Sequence, residues 1–259
     1  MPGLLHSALV AHDTTAWPTI VRTRADELII VFSGDRDDHI CPWGKMEMVR
    51  STDDGETWTE PVRVVCSAPH GPVELSDGRL LYLGNGTIDG EGVVAAESTD
   101  QGRNWKVIGT APRPEGIGLG EPHVVEAKSG KLVGLLRWGI ARIEDKYMWQ
   151  AESYDGGKTW TLAYKTTILG YPPHLIRLKD DRILLVYGLR LPPFGQRARV
   201  SEDEGESWSA EIVLCEGLSN DLGYPALTQL EDDSILTVYY QIENPGETTC
   251  LMGTRWRLG

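Results

Sequence analysis

Short apolar runs recur along the chain at nearly fixed intervals: Leu28–Phe32, Leu80–Leu83, Leu132–Leu136, Ile183–Tyr187 and Ile235–Tyr239. Each follows a polar turn, and each turn follows an opening built on proline. The openings are Trp17-Pro18-Thr-Ile-Val, Gly71-Pro72-Val-Glu-Leu, Glu121-Pro122-His-Val-Val, Pro172-Pro173-His-Leu-Ile and Tyr224-Pro225-Ala-Leu-Thr. Their prolines, Pro18, Pro72, Pro122, Pro173 and Pro225, are 54, 50, 51 and 52 residues apart. Runs this short, bounded by polar clusters, are strands, and no amphipathic helix is needed anywhere.

A second repeat is offset from the first. Ser51-Thr-Asp53-Asp-Gly55-Glu-Thr-Trp58, Ser98-Thr-Asp100-Gln-Gly102-Arg-Asn-Trp105, Ser153-Tyr-Asp155-Gly-Gly157-Lys-Thr-Trp160 and Ser201-Glu-Asp203-Glu-Gly205-Glu-Ser-Trp208 share one pattern, S-x-D-x-G-x-[TNS]-W. Its chemistry is that of a self-bonded hairpin turn. The Asp carboxylate accepts backbone N–H bonds, Gly takes φ > 0, and Trp plugs the gap to a neighbouring sheet. Calcium binding or catalysis at these turns is the alternative; a turn held by its own side chains reads as structural.

Each unit thus runs strand, turn, strand, loop, strand, Asp-turn, strand. Five such units of about 50 residues predict an all-β chain: a five-bladed β-propeller of four-stranded antiparallel blades, one domain spanning residues 1–259. The fifth unit ends at Thr249–Leu258 with no Asp-turn after it, and an extra strand, Leu4–His12, precedes the first. Ring closure is expected, with the N- and C-terminal strands sharing one blade and removing two exposed edges.

Composition narrows the function. With 25 Lys+Arg against 38 Asp+Glu the net charge is −13, and no basic run occurs, so neither nucleic acid nor an anionic membrane is an expected partner. No apolar run approaches bilayer-spanning length. MPGLLHSALVAHD shows no signal peptide, which points to the cytoplasm, or to a secreted or periplasmic protein if the natural chain carries a leader. Cys41, Cys66, Cys215 and Cys250 are few and scattered, as reduced thiols would be.

The topology then places the chemistry. If the first strand of each blade is innermost, its start and the end of the second strand share one face, and the Asp-turns occupy the other. First-strand openings carry His70, Glu121, His123, His174 and Tyr224. Second strands end near Arg36, Asn85, Arg137, Arg190 and Tyr240, and adjoining loops add Asp37, Asp38, Arg197 and Asp221. Strand alternation puts Glu121 and His123 on one face. Carboxylates, imidazoles, tyrosines and arginines in one concave mouth make an acid/base and anion-binding site. Three histidines on consecutive blades raise the question of a metal, but no carboxylate-rich loop or short His spacing supports one, and no cofactor is implied.

The four Asp-turns resemble the Asp boxes of the sialidase (neuraminidase) superfamily of BNR-repeat propellers, in particular a bacterial sialidase-like branch. Four places sharpen the resemblance: Val31-Phe-Ser-Gly-Asp-Arg36 with Val49–Gly55; Gly120-Glu121-Pro-His-Val-Val with Leu135-Leu-Arg137; Arg190 and Arg197 around Pro192-Pro-Phe-Gly-Gln; and Tyr224-Pro-Ala-Leu-Thr-Gln-Leu with Val238-Tyr-Tyr240. The resemblance implies Tyr224 as nucleophile, Glu121 as its base, Asp37 or Asp38 as acid, and Arg137 with Arg190 or Arg197 as anion ligands. Sialidases depart in this way from the two-carboxylate glycosidase scheme. This chain departs from the family in turn. Ala16-Trp17-Pro18 stands where sialidases have Arg-Ile-Pro, Asp37 and Asp38 lie nearer the strand, and five repeats replace six blades.

Three functions are therefore weighed. The first is a sialidase-like glycosidase for an acidic or unusual sugar, with Arg36, His70, Asp221 and Tyr240 also lining its site. The second is a polysaccharide lyase in which His123 or His174 abstracts the proton next to a uronate carboxylate. The third is a carbohydrate- or protein-binding propeller without catalysis.

Overall fold

The computed structural model describes residues 16–22, 26–34, 45–63, 65–86, 92–139, 142 and 145–258. The expected N-terminal closing strand, Leu4–His12, lies outside them, as do Arg36, Asp37 and Asp38.

The described chain forms five antiparallel sheets in sequence order. Blade one comprises Ala16–Arg22, Leu28–Gly34, Lys45–Ser51 and Val62–Arg63. Blade two has a divided inner strand, Cys66–Ser67 and Val73–Glu74, both paired with Leu80–Gly86, followed by Val93–Ser98 and Lys106–Ala111. Blade three is Leu119–Glu126, Leu132–Trp138, Tyr147–Ser153 and Tyr164–Leu169. Blade four is Tyr171–Arg177, Ile183–Leu189, Gly195–Ser201 and Ile212–Glu216. Blade five shows three strands, Gly223–Gln229, Ile235–Gln241 and Cys250–Trp256. The inner strands of blades three, four and five pack against one another around the axis. No described helix is long and apolar enough to cross a membrane.

The apolar runs sit where the pattern placed them, in the second strands, and those of blades two, three and four are buried on both faces between neighbouring blades. Leu132, Val133, Leu135 and Leu136 are fully buried, as are Ile183 to Tyr187. One core cluster joins blades two and three through Leu81, Leu83, Val124, Leu132 and Trp160, and another joins three and four through Val133, Leu135, Leu175 and Leu185. Truncating Leu135 or Leu185 to Ala would cost about 2–5 kcal/mol.

The Asp boxes bond as their chemistry requires. In the second, Ser98 Oγ donates to Asp100 Oδ1 at 2.8 Å, and Asn104 donates from its backbone N–H (2.8 Å) and side-chain amide (2.6 Å) to the same carboxylate. Trp105 Nε1 closes the turn on the Gly102 carbonyl at 3.0 Å. The boxes also staple blades together. Arg79, in the inner turn of blade two, donates to the Gly156 carbonyl of the box in blade three. Ser129, in the inner turn of blade three, bonds Glu204 of the box in blade four.

Four of the five proline openings prove to be β-bulges; the fifth, Gly71-Pro72, lies at the break in the inner strand of blade two. In blade three, Gly120 pairs with Arg137 and His123 with Leu135, so Glu121 and Pro122 together oppose Leu136. The same two-against-one register occurs at Trp17-Pro18, Pro172-Pro173 and Tyr224-Pro225. Proline suits the position because a bulged residue has no ladder partner for an N–H.

Candidate active site

Bulges set the aim of the central side chains. Glu121 and Tyr224 are bulge residues with φ of +40° and +48°. The other non-glycine residues with positive φ lie in turns. Left-handed backbone at a non-glycine residue inside a strand is strained, and such strain collects at functional sites. The bulge also overrides period-two alternation, correcting the expectation that Glu121 and His123 act from one face of their strand. They join two different clusters.

The first cluster is built on Glu121. Tyr224 Oη donates to Glu121 Oε1 at 3.1 Å, although the two residues come from blades three and five. Arg137 Nη1 donates to Glu121 Oε2 at 2.5 Å and reaches Tyr224 Oη at 3.4 Å. Arg190 Nη2 donates to Tyr240 Oη at 3.0 Å, and the Tyr240 ring stacks beside Tyr224 with centroids 6.1 Å apart. Burial raises the Tyr240 phenol and the Asp221 carboxylate adds to it, while Arg190 pulls the other way. Beneath them lies Tyr171, the first residue of blade four, 4% exposed. Its ring carries the Arg137 guanidinium at 4.3 Å, Lys146 Nζ at 4.8 Å and the Arg190 guanidinium at 5.1 Å. Cations over a desolvated aromatic face are attracted by its quadrupole.

The electrostatics follow from this crowding. Burial first, then the nearby Glu121 carboxylate, pushes the Tyr224 phenol up to about 12, although Arg137 and Arg190 pull the other way. The phenol is therefore neutral and a donor at neutral pH. Burial opposes the Arg137 charge, but Glu121 more than offsets it, and the guanidinium is held more firmly charged. Lys146 is lowered by burial and by Arg137. The Nε atoms of Arg137 and Arg190 are buried without partners. Three cations thus gather around one aromatic ring inside a chain of net charge −13, with the Glu121 carboxylate as the partner of Arg137.

The second cluster is His70, His123 and His174. His123 stacks on His174 with centroids 4.4 Å apart, and His70 meets both edge-on at 5.6 and 4.8 Å. His123 Nδ1 accepts the Leu175 N–H at 3.0 Å, fixing its tautomer. Burial holds all three imidazoles neutral, His174 down to about 4 and the other two well below their usual value. Two stacked rings, one with a lone pair already engaged, do not converge on a metal. Among the described residues no group of three ligating side chains has the geometry to hold one.

Arg197 belongs to neither cluster, which corrects its expected place in the mouth. It is 1% exposed, on the third strand of blade four, and donates to Glu211 and to the carbonyls of Pro193 and Cys215. Of the two arginines left open by the sequence, Arg190 is the one beside Tyr224.

Repeats, bulged openings and a tyrosine–glutamate pair across the axis are now in place. A sequence profile for the BNR repeat-like domain matches residues 8–238. The chain belongs to the BNR repeat-like family. A sialidase from Bacteroides fragilis (strain YCH46) is 24% identical over 225 residues, covering 75% of this chain and 39% of that protein. The chain thus spans about two fifths of that relative's length. Among solved structures, a protein of unknown function from Dyadobacter fermentans superposes with a TM-score of 0.82 at 25% identity, covering all of this chain and 80% of the other. The Hadza microbial sialidase Hz136 (TM-score 0.66, 18% identity, 94% of this chain, 52% of that one) and a Penicillium chrysogenum alpha-L-arabinanase complexed with arabinobiose (0.62, 18%, 94% and 81%) share the propeller fold.

In this BNR propeller, sequence reasoning missed Tyr171 and Lys146. Tyr171 precedes Pro172-Pro173, where His174 drew attention, yet an aromatic at a blade opening was a usable signal. Lys146 sits after a loop with no motif around it, and nothing in the sequence marks it.

Proposed function

We propose that this BNR propeller is a glycoside hydrolase of the sialidase type that acts on an anionic sugar. One observation carries the reading: the Tyr224 hydroxyl donates to Glu121 at 3.1 Å from a non-adjacent blade, each residue held in left-handed backbone. A phenol that is neutral at working pH approaches an anionic sugar without charge repulsion. As Tyr224 Oη attacks the anomeric carbon, its proton passes to Glu121 and the glycosidic C–O bond breaks. The departing oxygen takes a proton from an acid, the role assigned to Asp37 or Asp38. Water, giving a proton to the aspartate that served as acid, then attacks the tyrosyl glycoside as Glu121 returns its proton to the departing phenolate, and the free sugar leaves.

Arg137, Arg190 and Lys146 hold the substrate anion over Tyr171. Lys146 thereby supplies a third cation in a chain whose blade one opens on Ala16-Trp17-Pro18 rather than an arginine. The lyase reading loses support at His123, which is 4% exposed and whose Nδ1 already accepts the Leu175 N–H.

The test is a panel of acidic and neutral aryl glycosides. Wild-type protein should release the phenol from acidic members without producing an unsaturated uronate absorbance. Tyr224→Phe should lose about 10²–10⁴ of that rate. Turnover of neutral members alone, or undiminished turnover in Tyr224→Phe, would contradict the reading.

A further inference from the structure

Among the described residues the largest fully buried side chain is a charged one, Arg197. A guanidinium out of water is costly unless its N–H groups find acceptors. Here Nε donates to Glu211 Oε1 at 3.1 Å. Nη1 donates to the carbonyls of Gln196 (3.1 Å) and Cys215 (2.8 Å), and Nη2 to those of Pro193 (2.6 Å) and Phe194 (3.4 Å). Most of this bonding is with main chain, and Glu211 alone among these acceptors returns a charge. A rigid planar fork of donors suits that task, and a compact ammonium does not.

The carbonyls come from two segments. Pro193 and Phe194 lie in the turn 190–194, between the second and third strands of blade four, and Cys215 lies in its outer strand. Gly195 follows the turn with φ +138°, and a Cβ there would stand 2.7 Å from Arg197 Nη1. Glycine thus leaves room for the guanidinium to come between turn and strand. The Gly217 N–H adds a second tie, donating to the Phe194 carbonyl at 2.9 Å. Below, Glu211 also accepts the Tyr187 hydroxyl at 2.9 Å. The outer strand is the anchor, and the turn is what it holds.

That turn opens on Arg190. Its guanidinium bonds Tyr240 and stands 5.1 and 5.7 Å from the ring centroids of Tyr171 and Tyr224. Arg137 is fixed within the site by the Glu121 carboxylate. Arg190 has a phenol instead, and its Nε is buried without a partner, so its aim depends on the backbone that carries it. A binding group displaced by about 1 Å loses much of its contact with the ligand.

We propose that Arg197 is a positioning residue, which pins the turn 190–194 to the outer strand of blade four and so aims Arg190 at the bound anion. The proposal rests on the reading of the cationic cluster as the anion site. It gives the two arginines of blade four different tasks: Arg190 meets the ligand, and Arg197 acts through it.

The test titrates D-glucuronate and N-acetylneuraminate into the full chain by calorimetry and measures kcat and KM on acidic aryl glycosides. Wild-type protein should bind at least one of the two anions. Arg197→Lys keeps a charge for Glu211 but loses the fork. It should weaken that binding at least fivefold and raise KM by a similar factor, with kcat within threefold of wild type. Glu211→Gln removes the carboxylate beneath Arg197 without touching the turn, and should shift affinity in the same direction even if the lysine variant folds poorly. The deciding arm repeats both changes in an Arg190→Met background. There they should leave anion affinity within twofold, because no guanidinium remains to be aimed. Equal weakening with and without Arg190, unchanged affinity in folded Arg197→Lys and Glu211→Gln, or no anion binding by wild-type protein would overturn the proposal. Binding requires no turnover, so the two readings fail separately. A wrong hydrolase reading leaves Arg197-dependent anion binding without hydrolysis. A wrong positioning role leaves hydrolysis that Tyr224→Phe abolishes and an anion affinity indifferent to Arg197.

Discussion

The two ends of the propeller solve opposite problems. At the Asp-box end four of the five blades repeat the same turn, and its Asp, Ser and Trp groups find partners in the turn or the next blade. The Trp208 indole of blade four even borrows Gln150 of blade three, whose amide returns to the Gly205 carbonyl. At the other end no two blades match. Openings present His70, Glu121, Tyr171 or Tyr224, and buried nitrogens of His70, Arg137, Trp138, His174 and Arg190 have no partner. Satisfied, repeated polar groups stabilise a scaffold. Unsatisfied, unrepeated ones keep bonding capacity that a substrate can use. The same repeat of about 50 residues thus carries stability at one end and chemistry at the other.

The largest expected effect breaks that contrast at the mouth. Glu121→Gln and Tyr224→Phe should each lower kcat by about 10³ and the double variant scarcely further, because the two act as one unit. Their melting temperatures should stay near wild type. Additive losses, or unfolding in step with lost activity, would show the pair to be structural.

Next comes the histidine axis. Each folded-state pKa is depressed, so acid favours the unfolded chain, which takes up protons that the buried rings refuse. Stability is full above the ordinary histidine value near 6.5 and declines as pH falls below it. For His174, lowered to about 4, the loss between those pH values is of the order of 3 kcal/mol. Denaturant titrations at pH 7 and pH 4.5, with wild type against His174→Gln, measure it. An equal decline in both proteins would remove the axis from the explanation.

How much of this was legible beforehand depends on whether a signal is local. The Asp boxes and proline openings are short-range, so blade number and the orientation of the two faces follow from their spacing. Tyr224, Glu121, Arg137, Arg190 and Tyr240 were legible as strand-end residues, and Asp221 as a residue of an adjoining loop. The bulges were not, because alternation assumes a regular ladder, and a single extra residue sends Glu121 and His123 into separate clusters. Arg197 was misplaced because a loop-side position in sequence became a third-strand position in space. Lys146 and Tyr171 act through tertiary contact alone.

Smaller effects sharpen the scaffold side. Gly205 adopts φ +86°, and a Cβ there would meet Val133 Cγ1 at 2.9 Å. Gly205→Ala should destabilise by about 2 kcal/mol in thermal or denaturant unfolding. Asp100→Ala removes the bonds from Ser98 and Asn104. A loss of about 1 kcal/mol with unaltered substrate preference is expected for that exposed turn. A changed preference in either variant would mean that the two ends are coupled.

The most direct measurement is peptide mapping by mass spectrometry after reaction with a fluorinated acidic glycosyl fluoride, which slows breakdown of any covalent intermediate. The added sugar mass should appear on the peptide containing Tyr224, vanish in Tyr224→Phe, and disappear with time as free sugar is released. A label on Glu121 or another carboxylate, or steady turnover with no labelled peptide, would contradict a tyrosine nucleophile served by Glu121 across the axis.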